Sequence, residues 1–209
     1  MNAAPHTRGH APASTLEQVI WQLWVWLAWL VPVSALVLRF LTPQAGWETL
    51  ILAVAVPVWV PIVAVLIMVP RWIWRSRAGR EVEPPALVTA AGVAHWGGLL
   101  MISFAMRGTG DTSSNSSILL DTVPALGEGG ETLVLIAATL LSGAALLTAI
   151  AAAKFMRVDR ARGPRGWVSV TVALLLPWLL VAGAVLVPDQ VLPESSWAAD
   201  RATAGLARL

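Results

Sequence analysis

The 209-residue chain is 57% hydrophobic and only 12% charged, with a formal net charge of +2 and no cysteine. Soluble domains carry about 25% charged residues, so this composition excludes an ordinary soluble protein, and it also excludes the disordered, collagen-like and coiled-coil classes. The lack of cysteine excludes disulfides, thiolate metal sites and a cysteine nucleophile. The composition therefore predicts a helical membrane protein.

Five apolar stretches are long enough to cross a bilayer, because a spanning helix needs about 20 mostly apolar residues. None contains an acidic residue, and a helix pairs its own backbone polar groups inside lipid. We therefore predict an all-α integral membrane protein in which residues 19–188 form a bundle of five transmembrane helices. The predicted spans are Val19–Leu38, Thr49–Val69, Ala86–Met106, Thr132–Ala153 and Trp167–Val187.

The segments outside the spans are short. Residues 1–18 are predicted to form a disordered cytoplasmic tail, and residues 189–209 an outer tail with a short interfacial helix from Glu194. The longest connector, Arg107–Glu131, contains apolar residues such as Ile118–Leu120. Since loops of this length are usually functional or disordered, we expect the apolar part to fold back onto the helix ends.

Proline is the strongest irregularity within the spans. Pro57 and Pro61 lie one turn apart in the second span, and Pro32 and Pro177 lie in the first and fifth. Each removes a backbone donor and clashes with the carbonyl four residues earlier, so the second span is expected to kink or open. One interpretation is a broken helix that lines a binding site or hinge. We favour the other, in which neighbouring groups satisfy the freed carbonyls, since no charge accompanies the prolines.

His95 is the only ionisable residue deep inside a predicted span, and such residues are functional candidates. A proton relay, a substrate hydrogen bond and a haem ligand are the functional interpretations, although no span supplies a carboxylate or a second histidine. The structural interpretation is a neutral imidazole that donates to a carbonyl freed by proline. Both stay open. The candidate binding or gating residues are His95, Trp96, Pro57, Pro61 and Pro177.

Small residues recur at four-residue spacing in the third and fourth spans. Such stripes let two helix backbones approach closely. We therefore expect these two spans to form a tight pair. The stripes are Ala90, Ala94 and Gly98 in the third span and Ala145, Ala149 and Ala153 in the fourth.

The basic residues predict the orientation in the membrane. Ten lysines and arginines fall on the side of the N-terminus and four on the other side, so the positive-inside rule predicts a cytoplasmic N-terminus and an outer C-terminus. The clustered arginines are either topology determinants alone, which we favour, or contacts for anionic lipid headgroups. The headgroup candidates are Arg71, Arg75, Arg77, Arg80, Arg157 and Arg160.

The sequence carries no enzyme motif such as a phosphate-binding glycine loop, HExxH or GxSxG, and no basic folded module for nucleic acid. We therefore expect no catalytic residue, metal or cofactor. The preferred function is a non-catalytic subunit, or an assembly or accessory factor, of a larger complex in the plasma (cytoplasmic) membrane, with lipid and other membrane subunits as partners. The excess of arginine over lysine suggests a high-GC bacterium. The alternative is a transporter or channel component for a neutral or apolar solute that uses the kinked helices and His95.

Overall fold

The computed structural model describes residues 15–40, 47–78, 84–108, 117–156 and 166–186. Every regular element within these ranges is helical. Five of the helices are long and apolar enough to cross a membrane, which is the number that the sequence predicts. The elements are α1 (Thr15–Phe40), α2 (Trp47–Ala78), α3 (Ala86–Ala105), the short α4 (Ile118–Thr122), a 3-10 turn (Pro124–Leu126), α5 (Gly127–Phe155) and α6 (Gly166–Val185).

The helix α3 lies at the centre of the bundle. It packs most extensively on α5 and also contacts α6 and α1, whereas α2 lies at the periphery against α1 and α5. Most of the α3 side chains from Val88 to Trp96 are buried. The composition of α3 explains this position, because its alanines and glycines allow neighbouring backbones to approach.

The helices alternate in direction. The end of α1 lies beside the end of α3, where Arg39 binds the Met106 carbonyl, and the end of α2 lies beside the end of α5, where Arg77 binds the Ala153 carbonyl. The first and last described residues, 15 and 186, therefore lie at opposite ends of the bundle. We call the end that holds Arg71, Arg75, Arg77 and Lys154 the basic end, and the end that holds Arg39, Arg107 and α4 the loop end.

The predicted tight pair of spans is present as α3 and α5. A Cβ atom added to Gly98 would lie 2.9 Å from the Ser142 Cβ atom and 3.1 Å from the Ala138 carbonyl oxygen. Only glycine allows this approach without displacing the α5 backbone. By contrast, Gly143 has nothing within 4 Å of an added Cβ atom, so it lies on the outward face of α5.

The connector between α3 and α5 folds back onto the loop end, as its apolar residues predicted. The Ser117 hydroxyl accepts a hydrogen bond from the Leu120 N–H at 3.0 Å and so caps α4. Leu119 and Leu126 are buried in a cluster that includes Val134 of α5. Gly127 then begins α5 with a positive φ of 62°, a conformation that glycine adopts without strain.

The end of the second predicted span and the start of the fourth both move. The helix α2 continues through Pro70 to Ala78, so the arginines that follow Pro70 extend a helix and not a loop. The Trp24 indole N–H donates to the Ile67 carbonyl at 3.0 Å and so ties α1 to α2 near this extension, next to the Leu66 carbonyl that Pro70 leaves without its helical donor. Similarly, α5 begins at Gly127, ahead of the predicted Thr132. It begins earlier because α4 and the 3-10 turn of the connector lead directly into it.

The predicted opening of the second span does not occur. The helix α2 is continuous across Pro57 and Pro61. In the turn before Pro57, the Leu52 carbonyl accepts a hydrogen bond from the Trp59 indole N–H at 2.9 Å. The carbonyl that Pro57 leaves without its helical donor is that of Ala53, one residue after Leu52, so the satisfaction of the freed carbonyls by neighbouring groups stays a prediction.

The predicted tails fall mainly outside the described ranges. Residues 15–18, predicted as part of the disordered tail, instead form the first turn of α1. The rest of that tail, the interfacial helix predicted from Glu194, and Arg80, Arg157 and Arg160 lie outside the described residues.

Candidate functional site

His95 is buried at the interface between α3 and α5. Its Nδ1 atom lies 2.9 Å from both the carbonyl oxygen and the hydroxyl oxygen of Ser142. A carbonyl oxygen only accepts, so this contact favours the tautomer in which Nδ1 carries the proton and donates to α5. The partner is therefore a residue of α5, one turn before the small-residue stripe, and not a carbonyl freed by proline, which corrects the structural interpretation of His95.

Three further polar atoms of α3 are buried. The His95 Nε2, Trp96 Nε1 and Thr89 Oγ1 atoms have no hydrogen-bond partner among the described residues. A buried polar group without a partner costs about 1–3 kcal/mol. The central helix therefore keeps hydrogen-bonding capacity that the described part of the bundle does not use.

Trp96 belongs to an aromatic cluster with two tryptophans of α1. The rings of Trp24 and Trp96 meet edge to face with centroids 4.9 Å apart, and those of Trp21 and Trp24 do so at 5.4 Å. The Trp24 ring also lies against Gly92, where an added Cβ atom would stand 2.7 Å from its Cζ3 atom. The cluster binds α1 to α3 and leaves Trp96 only 6% exposed.

Two arginines of the basic end, Arg71 and Arg77, bind backbone carbonyls. Arg71, although charged, is only 5% exposed; its Nη1 atom donates to the Trp21 carbonyl, and its guanidinium lies 4.8 Å from the centroid of the Trp21 ring. Arg77 donates to the carbonyls of Ala153 and Met156 at 2.6 and 3.2 Å. Arg77 thereby caps the C-terminus of α5, where a positive charge is favourable.

At the loop end, Arg39 differs from the sequence expectation. A long side chain just past a span is expected to reach the headgroups, yet Arg39 is only 1% exposed. It donates to the Met106 carbonyl and, at 3.2 Å, to the Arg107 carbonyl, so it caps the C-terminus of α3. The helix-terminal carbonyls attract the guanidinium inward because they otherwise have no donor.

A salt bridge closes the same end of the bundle. The Arg107 Nε atom donates to a carboxylate oxygen of Glu131, which is 1% exposed, and the Arg107 Nη1 atom lies 3.4 Å from the Glu128 carboxylate. Burial acts to lower the pKa of Arg107, but the hydrogen bond to Glu131 and the two carboxylate charges outweigh it and raise that pKa. The guanidinium therefore stays charged at every pH of interest and holds α3 to α5.

The structure does not gather the candidate binding or gating residues at one place. Pro57 is exposed on α2 and Pro61 is half-buried there, while Pro177 of α6 packs on Gly97, where an added Cβ atom would lie 2.7 Å from the proline ring. His95 and Trp96 face different helices, α5 and α1. Of the headgroup candidates, Arg71 and Arg77 bind carbonyls, and Arg75 is half-buried.

Several polar residues escape sequence reasoning. Ser142 lies 47 positions after His95, and its role depends on the register between two helices. Glu131 was visible only as one of several acidic loop residues, although its place directly before an apolar run was a usable signal. Within the described ranges, no group of three or more histidines or carboxylates is placed to hold a metal ion.

These features define the chain as an all-helical protein with five helices able to span a membrane. Comparison with known proteins adds no family: no protein-family model, curated protein or solved structure matches the chain.

Proposed function

We propose that this chain is a non-catalytic subunit, or an assembly or accessory factor, of a larger complex in the plasma membrane, with its N-terminus in the cytoplasm. One observation carries the proposal. Large tryptophan side chains face outward near the middle of α1 and α6: Trp26 is 68% exposed, Trp29 is 45% and Trp178 is 63%. Tryptophans that face lipid gather instead at the two membrane interfaces, where the indole N–H meets water.

Exposed tryptophans at mid-span suit a protein surface better than lipid. Tryptophan is enriched at protein interfaces because it buries a large area and still donates one hydrogen bond. The two helices that carry these side chains contact each other, so they are neighbours in the bundle. A partner helix on this surface would cover the rings and accept from their N–H groups.

The use of the buried polar groups supports the same proposal. The polar groups of Arg39, Arg71, Arg77, His95 and Glu131 hold one helix to another, as described above. Groups engaged in this way stabilise the fold. The alternative function, transport of a neutral solute, rests on the unpartnered His95 Nε2 atom, but α2 is continuous and Pro57 faces outward.

Native mass measurement in mild detergent tests the proposal. We expect the tagged wild-type chain to purify with one or more other membrane proteins in fixed ratio. The variant Trp29→Ala/Trp178→Ala should lose these partners but keep its helical content. A matched control is Trp47→Ala, since Trp47 is 61% exposed but lies at the start of α2.

The results of this experiment distinguish a protein interface at the mid-span surface from a surface that faces lipid. Loss of partners from the double variant and their retention by Trp47→Ala would support the mid-span surface as an interface. A wild-type chain that is monodisperse and alone, or partners that survive in the double variant, would contradict the proposal.

A further inference from the structure

The basic end of the bundle has more positive charge than its described residues neutralise. Arg71, Arg75 and Arg77 of α2 and Lys154 of α5 stand there with one carboxylate, that of Glu17 on α1. Glu17 is itself only 5% exposed. Among the described residues of this end, four positive charges therefore stand against one negative charge.

Arg71 is the most buried of these cations. It is 5% exposed, and its described partners are the backbone carbonyl and the ring of one residue, Trp21. Its Nε atom is buried and has no partner among the described residues. A guanidinium has five N–H donors, and a buried charge is costly unless it is paired. Arg71 thus has both unused donors and an uncompensated charge.

Arg75 lies one helical turn after Arg71 and on the same face of α2. Its Nε atom is likewise buried without a partner in the described part of the chain. Like charges four residues apart on a helix repel each other. An anion that contacts both side chains would remove this repulsion and use the free donors.

We propose that Arg71 and Arg75 form a binding site for a phosphate group. The planar donors of arginine match the oxygens of a phosphate in pairs. The site lies just after the apolar run that ends at Val69, which is the depth of the headgroups. The headgroup of an anionic phospholipid and a free phosphate ion offer the same chemistry.

Lipid titration of the purified full chain in a neutral detergent, followed by native mass measurement, tests the site. The probes are phosphatidylglycerol and the zwitterionic phosphatidylcholine, with inorganic phosphate as competitor. The test variant is Arg75→Gln, because the hydrogen bonds that hold the helices together at this end come from Arg71 and Arg77. The control is Lys154→Gln, which removes an equal charge from the same end, where Lys154 lies 5.3 Å from the centroid of the Phe155 ring.

We expect the wild-type chain to bind phosphatidylglycerol in preference to phosphatidylcholine. Arg75→Gln should weaken that binding about tenfold, the effect of losing one charge-assisted contact, and Lys154→Gln by less than about twofold. Competition by inorganic phosphate would assign the site to the free ion, and lack of competition would assign it to lipid. Equal binding of the two lipids together with no binding of phosphate, or equal losses in the two variants, would overturn the proposal.

Discussion

At the scale of single residues, the buried polar groups of the bundle are mainly contacts between helices. Arg39 binds the end of α3, Arg77 binds the end of α5, and His95 binds Ser142. A helix leaves its last carbonyls without an internal partner, and a cationic donor is favourable at this end of a helix. Arginine satisfies this need well because one side chain reaches two carbonyls, as Arg77 does.

A stability prediction concerns Gly92, the glycine that accommodates Trp24. In Gly92→Ala the new methyl group would overlap the Trp24 ring, which is only 1% exposed and has no free space. Overpacking of this kind costs about 1–3 kcal/mol, so the apparent midpoint of thermal unfolding in detergent should fall by several degrees. Circular dichroism or indole fluorescence measures it.

Gly143→Ala is the matched control. The added Cβ atom meets nothing within 4 Å, and alanine is a better helix former than glycine by about 1 kcal/mol. This variant should unfold at an unchanged or higher temperature. If both glycine variants were destabilised alike, the packing of Trp24 on Gly92 would be wrong.

At the scale of elements, the contact between α3 and α5 organises the bundle. The two backbones approach closely at Gly98 and Ser142, beside the hydrogen bond between His95 and Ser142. Close approach strengthens both dispersion contacts and interhelical hydrogen bonds, which drive helix association in membranes. The other spanning helices pack around this pair or against α1.

Cysteine cross-linking tests the register of this pair, and the natural chain contains no cysteine to interfere. We expect Gly98→Cys/Ser142→Cys to form an intramolecular disulfide on mild oxidation. The two Cβ positions lie 2.9 Å apart, closer than the about 3.5–4.5 Å of a disulfide, so a small outward shift of α5 brings the two sulfur atoms within bonding distance. A shift in electrophoretic mobility that reductant reverses would report the bond.

The control for the register is Gly98→Cys/Gly143→Cys. Gly143 is the next residue along α5 but lies on its outward face, so this pair should stay reduced under the same conditions. Cross-linking of the control pair at the same rate would show that α5 is rotated relative to the structure.

The spans were predictable from the sequence because membrane insertion is governed by the length and composition of local segments. The small-residue stripes also predicted the pair of α3 and α5. The extension of α2 through Pro70 was not predicted, because proline ordinarily kinks or ends a helix, and the contacts that α2 makes beyond it, such as that of Arg71 with Trp21 50 positions away, form only in the folded bundle. For the candidate site, the sequence identified His95 but not Ser142, and it misplaced Arg39, since helix register and capping partners are properties of the folded bundle.

At the scale of the whole molecule, the charges divide between the two ends of the bundle. The described basic end carries four basic side chains against Glu17, whereas the loop end carries Asp121, Glu128 and Glu131 beside its two arginines. Basic residues stay preferentially on the cytoplasmic side. Because five helices are able to span a membrane and the first and last described residues lie at opposite ends of the bundle, we propose that the basic end lies inside and the loop end outside.

Labelling of single cysteines in intact cells tests this central claim directly. Ser76 is exposed at the basic end and Thr122 at the loop end, so each is replaced by cysteine in the otherwise cysteine-free chain. A membrane-impermeant maleimide should label Thr122→Cys in intact cells and Ser76→Cys only after permeabilisation. The reverse pattern would invert the orientation, and labelling of both residues from one side would contradict the five-span bundle.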